Sequence, residues 1–115
     1  MAALSVTVHG ITIKTGAQTS GRFATANITT SDGSDTIVHT VSTAPDMDYA
    51  LLSLSLCNRD NVALTDISVA IAAADVPLDA EFIEWRVTLV PHGVLERTQL
   101  VANPGDRIIV RVGTP

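Results

Sequence analysis

The sequence predicts an all-β protein, an antiparallel β-sandwich of jelly-roll-like form with about eight strands. Apolar and polar residues alternate in several runs, such as Leu52–Leu56, Ile67–Ile71 and Ile83–Leu89. This period of two points successive side chains to opposite faces of a sheet. Clusters of Gly, Pro, Asn and Asp separate the runs at the spacing usual in such folds. We therefore expect these three runs to form one sheet with a buried face and a wet face.

The composition is that of a single domain covering residues 1–115. The 115 residues are 46% hydrophobic but only 3% aromatic, so the predicted core consists of Val, Ile, Leu and Ala. A core of this size buries about two-thirds of the surface that the unfolded chain exposes. Mean hydropathy is +0.33 with only 17% charged residues. Part of the apolar excess is therefore expected to lie in contacts with other subunits.

Individual strands are predicted from the alternation and from the turns that bound it. In chain order they are expected over 4–13, 23–30, 36–42, 49–57, 62–73, 81–90, 94–101 and 107–112. The phase of the first run changes at His9-Gly10, which predicts a bulge there. The segment 14–22, rich in Gly, Thr and Ser, is predicted to be an exposed loop. The alternative of short helices over 70–74 and 80–85 is disfavoured by the β-branched neighbours.

Turn chemistry makes further local predictions. The Asp32-Gly33 pair tolerates the positive φ angles of tight turns, so a hairpin is expected to join the second and third strands. Gly33, Gly93 and Gly105 each follow a turn-forming residue between apolar runs. All three are therefore expected to adopt positive φ.

The same periodicity predicts which side chains are buried. Trp85 has the phase of its apolar neighbours in the strand 81–90, which places it in the core. Glu84 and Arg86 share the opposite, wet face, where they are expected to pair weakly. Cys57 lies at a strand end and is expected to be a small buried residue.

Charge and cysteine content exclude several classes of protein. The net charge is −5 and the seven Lys and Arg residues are dispersed, so neither nucleic acid nor an anionic membrane is an expected partner. A single cysteine excludes an internal disulfide and a multi-cysteine metal site. The sequence has no long apolar run and no charged n-region followed by an apolar one. We therefore expect neither a membrane-spanning nor a conventionally secreted protein.

No arrangement of residues in the sequence predicts catalysis. The three histidines, His9, His39 and His92, occur in separate segments without the spacing of zinc ligands. The segment Ser31–Asp35 has the acidic character of a calcium loop but lacks the further ligands and the closing Glu. Nucleophile elbows and phosphate-binding loops do not occur. We therefore predict no catalytic, cofactor-binding or metal-binding residues, no cofactor and no enzymatic activity.

Four short motifs occur in a fixed order in the second half of the chain. They are Cys57–Asp60, Ile71–Pro77, Ala80–Trp85 and Gly93–Thr98. In this order and spacing the chain resembles a group of small β-rich virion structural proteins and fibre-type modules of tailed bacteriophages, notably those of marine cyanobacteria. The resemblance covers about residues 37–112 and implies a component of a phage particle, with no catalytic residues to transfer.

The N-terminal strand has a special place in this resemblance. Members of the group continue past the segment that corresponds to Arg107–Val112 into a last strand, whereas this chain stops at Pro115. The segment Leu4–Ile11 resembles that last strand but lies at the other end of the chain. An open position in a sheet exposes unpaired backbone groups. The strand 4–13 is therefore expected to fill the position in its own sheet or, by exchange, in a neighbouring subunit.

The resemblance leaves two functions open. One is a capsid decoration (cement) protein on the capsid surface of the virion, which binds the major capsid protein and stabilises capsomer contacts. In this role self-association is expected, with a homotrimer favoured because three-fold positions are common on viral shells. The alternative is a tail, baseplate or fibre module that contacts tail or fibre proteins and binds host glycan. Glycan sites need exposed aromatic rings, and the expected burial of Trp85 argues against them.

Overall fold

The protein is all-β, as its sequence predicts. The computed structural model describes residues 3–14, 17–43 and 47–114. Over these ranges it has eight strands and one 3₁₀ turn, Asp79–Glu81. The strands are β1 (Leu4–Lys14), β2 (Ala17–Ile28), β3 (Asp32–Thr40), β4 (Met47–Asn58), β5 (Leu64–Ala72), β6 (Phe82–Leu89), β7 (Val94–Ala102) and β8 (Arg107–Gly113).

The strands form two four-stranded antiparallel sheets packed as a sandwich. The first sheet has the order β2-β1-β4-β7 and the second has the order β3-β8-β5-β6. If β2 is counted as the first strand, this is the order of an eight-stranded jelly roll. The position of the final jelly-roll strand, between the first and third, is occupied by β1. The N-terminal strand thus pairs with β2 and β4 of its own chain.

The core lies between the inner faces of the two sheets. Its first-sheet half comes from alternate residues of β1 and β4, and its second-sheet half comes mainly from β5 and β8. The largest side chains that are almost wholly buried include Leu4, Leu52, Leu54, Leu56, Ile67 and Ile108. Aliphatic residues therefore fill the sandwich, in agreement with the low aromatic content.

Several predictions about connectivity are wrong. The predicted loop 14–22 is the end of β1 and the start of β2, which pair as a hairpin, with residues 15 and 16 outside the described residues. The expected hairpin between 23–30 and 36–42 does not form, because β2 and β3 lie in different sheets. Likewise β4 lies in the first sheet while β5 and β6 lie in the second. Local turn signals do not specify whether the chain returns in the same sheet or crosses to the other one.

The bulge predicted at His9-Gly10 exists, but its extra residue lies in the partner strand. The register of β1 against β2 shifts between Val8 and His9, and Phe23 of β2 is the additional residue. Along β4 the pairing of β1 continues without a shift through this point. The apolar side chains of Ile11 and Ile13 therefore point away from the core, on the outer face of the first sheet.

Two of the three predicted left-handed glycines are confirmed. Gly33 has φ 82° and Gly105 has φ 85°. The prediction is wrong for Gly93, because the left-handed residue of that turn is His92 with φ 60°. The turn is closed by the Gly93 N–H, which donates to the Val90 carbonyl oxygen at 2.8 Å.

Cys57 does not occupy the buried position expected of it. It is half-buried on the outer face of the first sheet, paired with Ser5 of β1 and Val94 of β7. The next residue, Asn58, is the one that is completely buried. Side chains alternate between the two faces along β4, so either Cys57 or Asn58 must face the core. Asn58 faces it, because its side chain forms hydrogen bonds there.

Candidate functional site

The three histidines occupy separate surroundings. His9 is exposed on the outer face of the first sheet, and His92 is exposed in the turn between β6 and β7. The His39 ring stacks on Phe23 with centroids 5.5 Å apart, and burial lowers the pKa of His39. Across residues 3–14, 17–43 and 47–114, no three His, Cys, Asp or Glu side chains are grouped so that they could hold a metal ion.

A shallow cleft of about 280 Å³ lies at one end of the sandwich. Ser31, Asp60, Thr65 and Gly113 contribute to its lining, together with apolar residues of the segment 62–64. Asp60 is the one titratable residue among the lining residues. A hydroxyl nucleophile needs such a residue as its base within hydrogen-bond reach. Among the described residues, the Asp60 carboxylate accepts from the Asn61 N–H at 2.7 Å, and no hydrogen bond joins it to the hydroxyl group of Ser31 or Thr65.

The second sheet carries an aromatic cluster on its outer face, and it includes Trp85. The Trp85 side chain is 52% exposed, so the predicted burial of this residue is wrong. The cause is a bulge in β6, where Trp85 and Arg86 together oppose the single β5 residue Ser68. Arg86 has φ 51°, and its N–H donates to Ser68 Oγ at 3.0 Å. A bulge re-aims the side chains around it, and here Trp85 is turned away from the core.

The cluster combines two aromatic rings with two guanidinium groups and a carboxylate. Phe82 and Trp85 meet edge to face, with centroids 4.8 Å apart and an interplanar angle of 75°. The guanidinium carbon of Arg86 lies 5.3 Å from the centroid of the Trp85 ring, and that of Arg111 lies 5.1 Å from the Phe82 ring. Arg111 Nε donates to Asp35 Oδ1 at 2.8 Å. We call Asp35, Phe82, Trp85, Arg86 and Arg111 the Trp85 patch.

The Trp85 patch lies on buried residues of the second sheet. Ala70 and Ile109, which neighbour Phe82 on the outer face, are completely buried. Cation–π contacts and edge-to-face packing fix the two rings without hiding Trp85 from solvent. Rigid exposed Trp and Arg side chains are those most often found at the energetic centres of protein interfaces. The arrangement has the side chains of a binding surface, and its one carboxylate, Asp35, is paired with Arg111.

The expected pairing of Glu84 with Arg86 is wrong. Glu84 Oε1 instead accepts a hydrogen bond from Arg97 of β7 at 2.7 Å, which links the edge strands of the two sheets. Among the described residues, no carboxylate forms an ion pair with the Arg86 guanidinium. This guanidinium is therefore available to an anionic or hydrogen-bonding partner at the Trp85 patch.

The Glu81 side chain forms hydrogen bonds within the connection between β5 and β6. Its carboxylate accepts hydrogen bonds from the N–H groups of Leu78, at 2.7 Å, and Ala73, at 3.0 Å. These bonds favour the ionised form and lower the pKa of Glu81 below its ordinary value. A lowered pKa in the folded state contributes stability above the unfolded pKa, and this contribution is lost as the pH falls through the folded pKa.

We therefore expect acid to loosen the segment 73–81 before the sheets unfold. The protection of the Ala73 and Leu78 amides, measured relative to the intrinsic exchange rate at each pH, should be high at neutral pH and should fall at a pH below the lowered pKa of Glu81. Glu81→Gln should show fast exchange at neutral pH as well, since a neutral amide is a weaker acceptor for two N–H donors. Glu96→Gln, at an exposed position of β7, is the matched control. Equal protection of the two amides in the wild type and in Glu81→Gln at neutral pH would refute this role of Glu81.

No protein-family model matches this chain, and comparisons with curated proteins and with solved structures give no significant match. In the part of the chain that the structure describes, no helix has the length and apolar character needed to cross a membrane.

Proposed function

We propose that this protein is a non-enzymatic structural component of a phage virion, a capsid decoration protein that binds the major capsid protein. It acts on the outer shell, where many copies stabilise contacts between capsomers. Neither nucleic acid nor a membrane is a partner in this proposal. The motif series 57–98 and the β-sandwich fold support it, and the observation that carries it is the Trp85 patch.

The Trp85 patch suits a role in protein contact because of its chemistry and its place. Half of the only Trp side chain of the chain is in water, although burying a side chain of this size gains about 2 kcal/mol or more. Such exposure on a rigid sheet is typical of a surface that another molecule covers. Many weak contacts of this kind, repeated over a shell, add up to firm attachment by multivalency.

The second candidate is a tail, baseplate or fibre module that binds host glycan, and the exposure of Trp85 favours it. Sugars stack their apolar faces on exposed indole rings while neighbouring polar side chains bond their hydroxyl groups. Asp35, Arg86 and Arg111 lie around the two rings and offer such donors and acceptors. The glycan function was disfavoured only by the expected burial of Trp85, so the structure removes that objection.

Replacing Trp85 separates the two candidates in one experiment. For a decoration protein, Trp85→Ala should lower binding of the purified chain to shells that lack it by about tenfold or more, as expected at an interface centre. The matched control is Val62→Ala, since Val62 is likewise an exposed apolar residue, at 61%, but lies in the β4–β5 turn. No shell binding by the wild type, together with glycan binding that Trp85→Ala abolishes, would identify the second candidate. Full retention of both would contradict a role for the patch.

The homotrimer expected on symmetry grounds stays a prediction for copies bound at three-fold positions of the shell, and it is not proposed for the free chain. The location on the capsid surface is likewise proposed from the motif series alone. Both are open to direct measurement on purified protein and purified particles.

A further inference from the structure

The outer face of the first sheet differs from the usual water-facing side of a sheet because its two central strands display no charge over five successive cross-strand pairs, and the charged residues Lys14 and Asp48 come only at the far end of these strands. The cross-strand pairs of β1 and β4 place ten side chains on this face, none of them Asp, Glu, Lys or Arg. The pairs are Ser5–Cys57, Thr7–Ser55, His9–Ser53, Ile11–Leu51 and Ile13–Tyr49. Solvated faces of soluble proteins usually mix charges of both signs. An uncharged face on a chain of net charge −5 therefore calls for an explanation.

The uncharged face is divided along the strands into two zones. The zone nearest the start of β1 is covered by the hydroxyl groups of Ser and Thr. The other zone is apolar and consists of Ile11, Ile13, Tyr49 and Leu51, with Val101 of β7 beside Leu51. Tyr49 is 38% exposed and Val101 is 61% exposed. Within residues 3–14, 17–43 and 47–114, these two side chains of the apolar zone are left open to solvent.

Charges of opposite sign flank the uncharged face on its two edge strands. Arg22 of β2 is the cross-strand partner of His9, and Glu96 of β7 is the cross-strand partner of Ser55. Both side chains are exposed, and within the described chain neither forms an ion pair. His9–Ser53 and Thr7–Ser55 are successive rows of the same face. The two charges therefore lie on opposite sides of the face and one row apart, roughly 7 Å along the strands, a separation that two long side chains can span.

We propose that two copies of this chain pack these outer faces against each other around a two-fold axis parallel to the strands. Such an axis places β1 of one copy over β4 of the second copy, so that the apolar zones of the two copies meet. It also places Arg22 of each copy opposite Glu96 of the other, which gives two equivalent ion pairs. Aligned packing of two sheets is a common geometry, with the sheets about 10 Å apart.

Charge selects this axis over the alternative one. The alternative two-fold axis lies in the same plane but runs perpendicular to the strands. It would place β2 over β2 of the second copy and β7 over β7 of the second copy. Arg22 would then approach Arg22 and Glu96 would approach Glu96, and the apolar zones would face hydroxyl groups. Like charges brought together at an interface oppose association. With the axis parallel to the strands, the two apolar zones contact each other and each Arg22 lies near a Glu96 of opposite charge.

The size of the face is sufficient for a stable contact. Four strands about 4.8 Å apart and about ten residues long, at about 3.4 Å per residue, cover a footprint of roughly 19 by 34 Å, or about 650 Å². Stable interfaces bury about 800 Å² of accessible surface on each partner, and accessible surface exceeds the flat footprint. The uncharged centre also lets two chains of net charge −5 approach without local repulsion. The inference is independent of the proposed particle function.

Sedimentation of the full chain tests the proposal. Wild-type protein should sediment as a dimer at micromolar concentration, and Leu51→Glu should raise the dimer dissociation constant by about tenfold or more, since it buries like charges. The matched control is Val62→Glu, which adds the same charge at a 61% exposed position in the β4–β5 turn and should leave the constant unchanged. Circular dichroism checks that each variant is folded.

A charge exchange tests the axis even if Leu51→Glu does not fold. At low salt, Arg22→Glu and Glu96→Arg should each weaken the dimer by about tenfold, and the double variant should recover to within about threefold of the wild type. Recovery supports the strand-parallel axis. A monomer at about 100 µM, a trimer as the main species, or a double variant no tighter than the single ones would overturn the proposal.

Discussion

Leu54→Ala should lower the free energy of unfolding by about 3–5 kcal/mol, one of the largest effects of any single substitution in this chain. Leu54 is 1% exposed in the middle of β4, paired with Val8 of β1 and facing the second sheet. Antiparallel neighbours on both sides hold its backbone, so the cavity left by the truncation cannot collapse. Chemical denaturation measured at equilibrium gives the value directly.

Trp85→Ala is the informative comparison. It removes a larger side chain, yet Trp85 is 52% exposed and outside the core, so we expect a cost of about 1 kcal/mol from lost contacts with Phe82 and Arg86. The bulge in β6 is tested by which of the two variants loses more free energy of unfolding, and we expect the larger loss for Leu54→Ala. A Trp85→Ala variant as destabilised as Leu54→Ala would mean that Trp85 lies in the core after all.

Asn58→Ala should be nearly as costly, at about 2–4 kcal/mol, because its amide serves several backbone groups at once. Asn58 is completely buried, and its Nδ2 donates to the carbonyl oxygens of Val62 at 2.9 Å and of Leu89 and Val90 at 3.1 Å. Its Oδ1 accepts from the Asp60 N–H at 2.9 Å. The side chain thus ties the β4–β5 turn to the end of β6. Its loss removes this donor from the buried Leu89 carbonyl and from the part-buried Val62 carbonyl, whereas the Val90 carbonyl keeps the Gly93 N–H.

The pair Asn58→Asp and Asn61→Ala sharpens this test. Asn58→Asp keeps the shape but places a carboxylate against three carbonyl oxygens, so at neutral pH it should be destabilised more than Asn58→Ala. Asn61→Ala changes an exposed residue of the same turn and should cost less than about 0.5 kcal/mol. Similar stabilities for Asn58→Ala and Asn61→Ala in urea denaturation would show that the buried hydrogen bonds are not needed.

The sequence was sufficient to predict the fold class because alternation reports directly on which residues share a face. It predicted the strand over 49–57 and its buried leucines, and the strands over 94–101 and 107–112 nearly to the residue. It failed at Trp85 because alternation assumes an unbroken ladder, whereas two residues of β6 oppose Ser68. A bulge is decided by pairing with another strand, and no residue of β6 itself signals it.

The missed connection between β2 and β3 has a similar cause. Asp32-Gly33 signals a reversal with positive φ, and Gly33 indeed has φ 82°. Whether the next strand pairs with the previous one depends on which partner buries more surface, and β3 pairs with β8, at the far end of the chain. The two outer faces were missed for the same reason, since they are assembled from residues distant in sequence.

The number of copies of this protein in purified phage particles tests the proposed function most directly. On the proposed function a phage encodes this chain, and quantitative mass spectrometry of its purified particles, with the major capsid protein as internal reference, gives that number. A decoration protein should be present in hundreds of copies, whereas a few to a few dozen would indicate the tail or fibre alternative. Complete absence from purified particles, with the protein found only in the lysate of infected cells, would contradict a structural role in the virion.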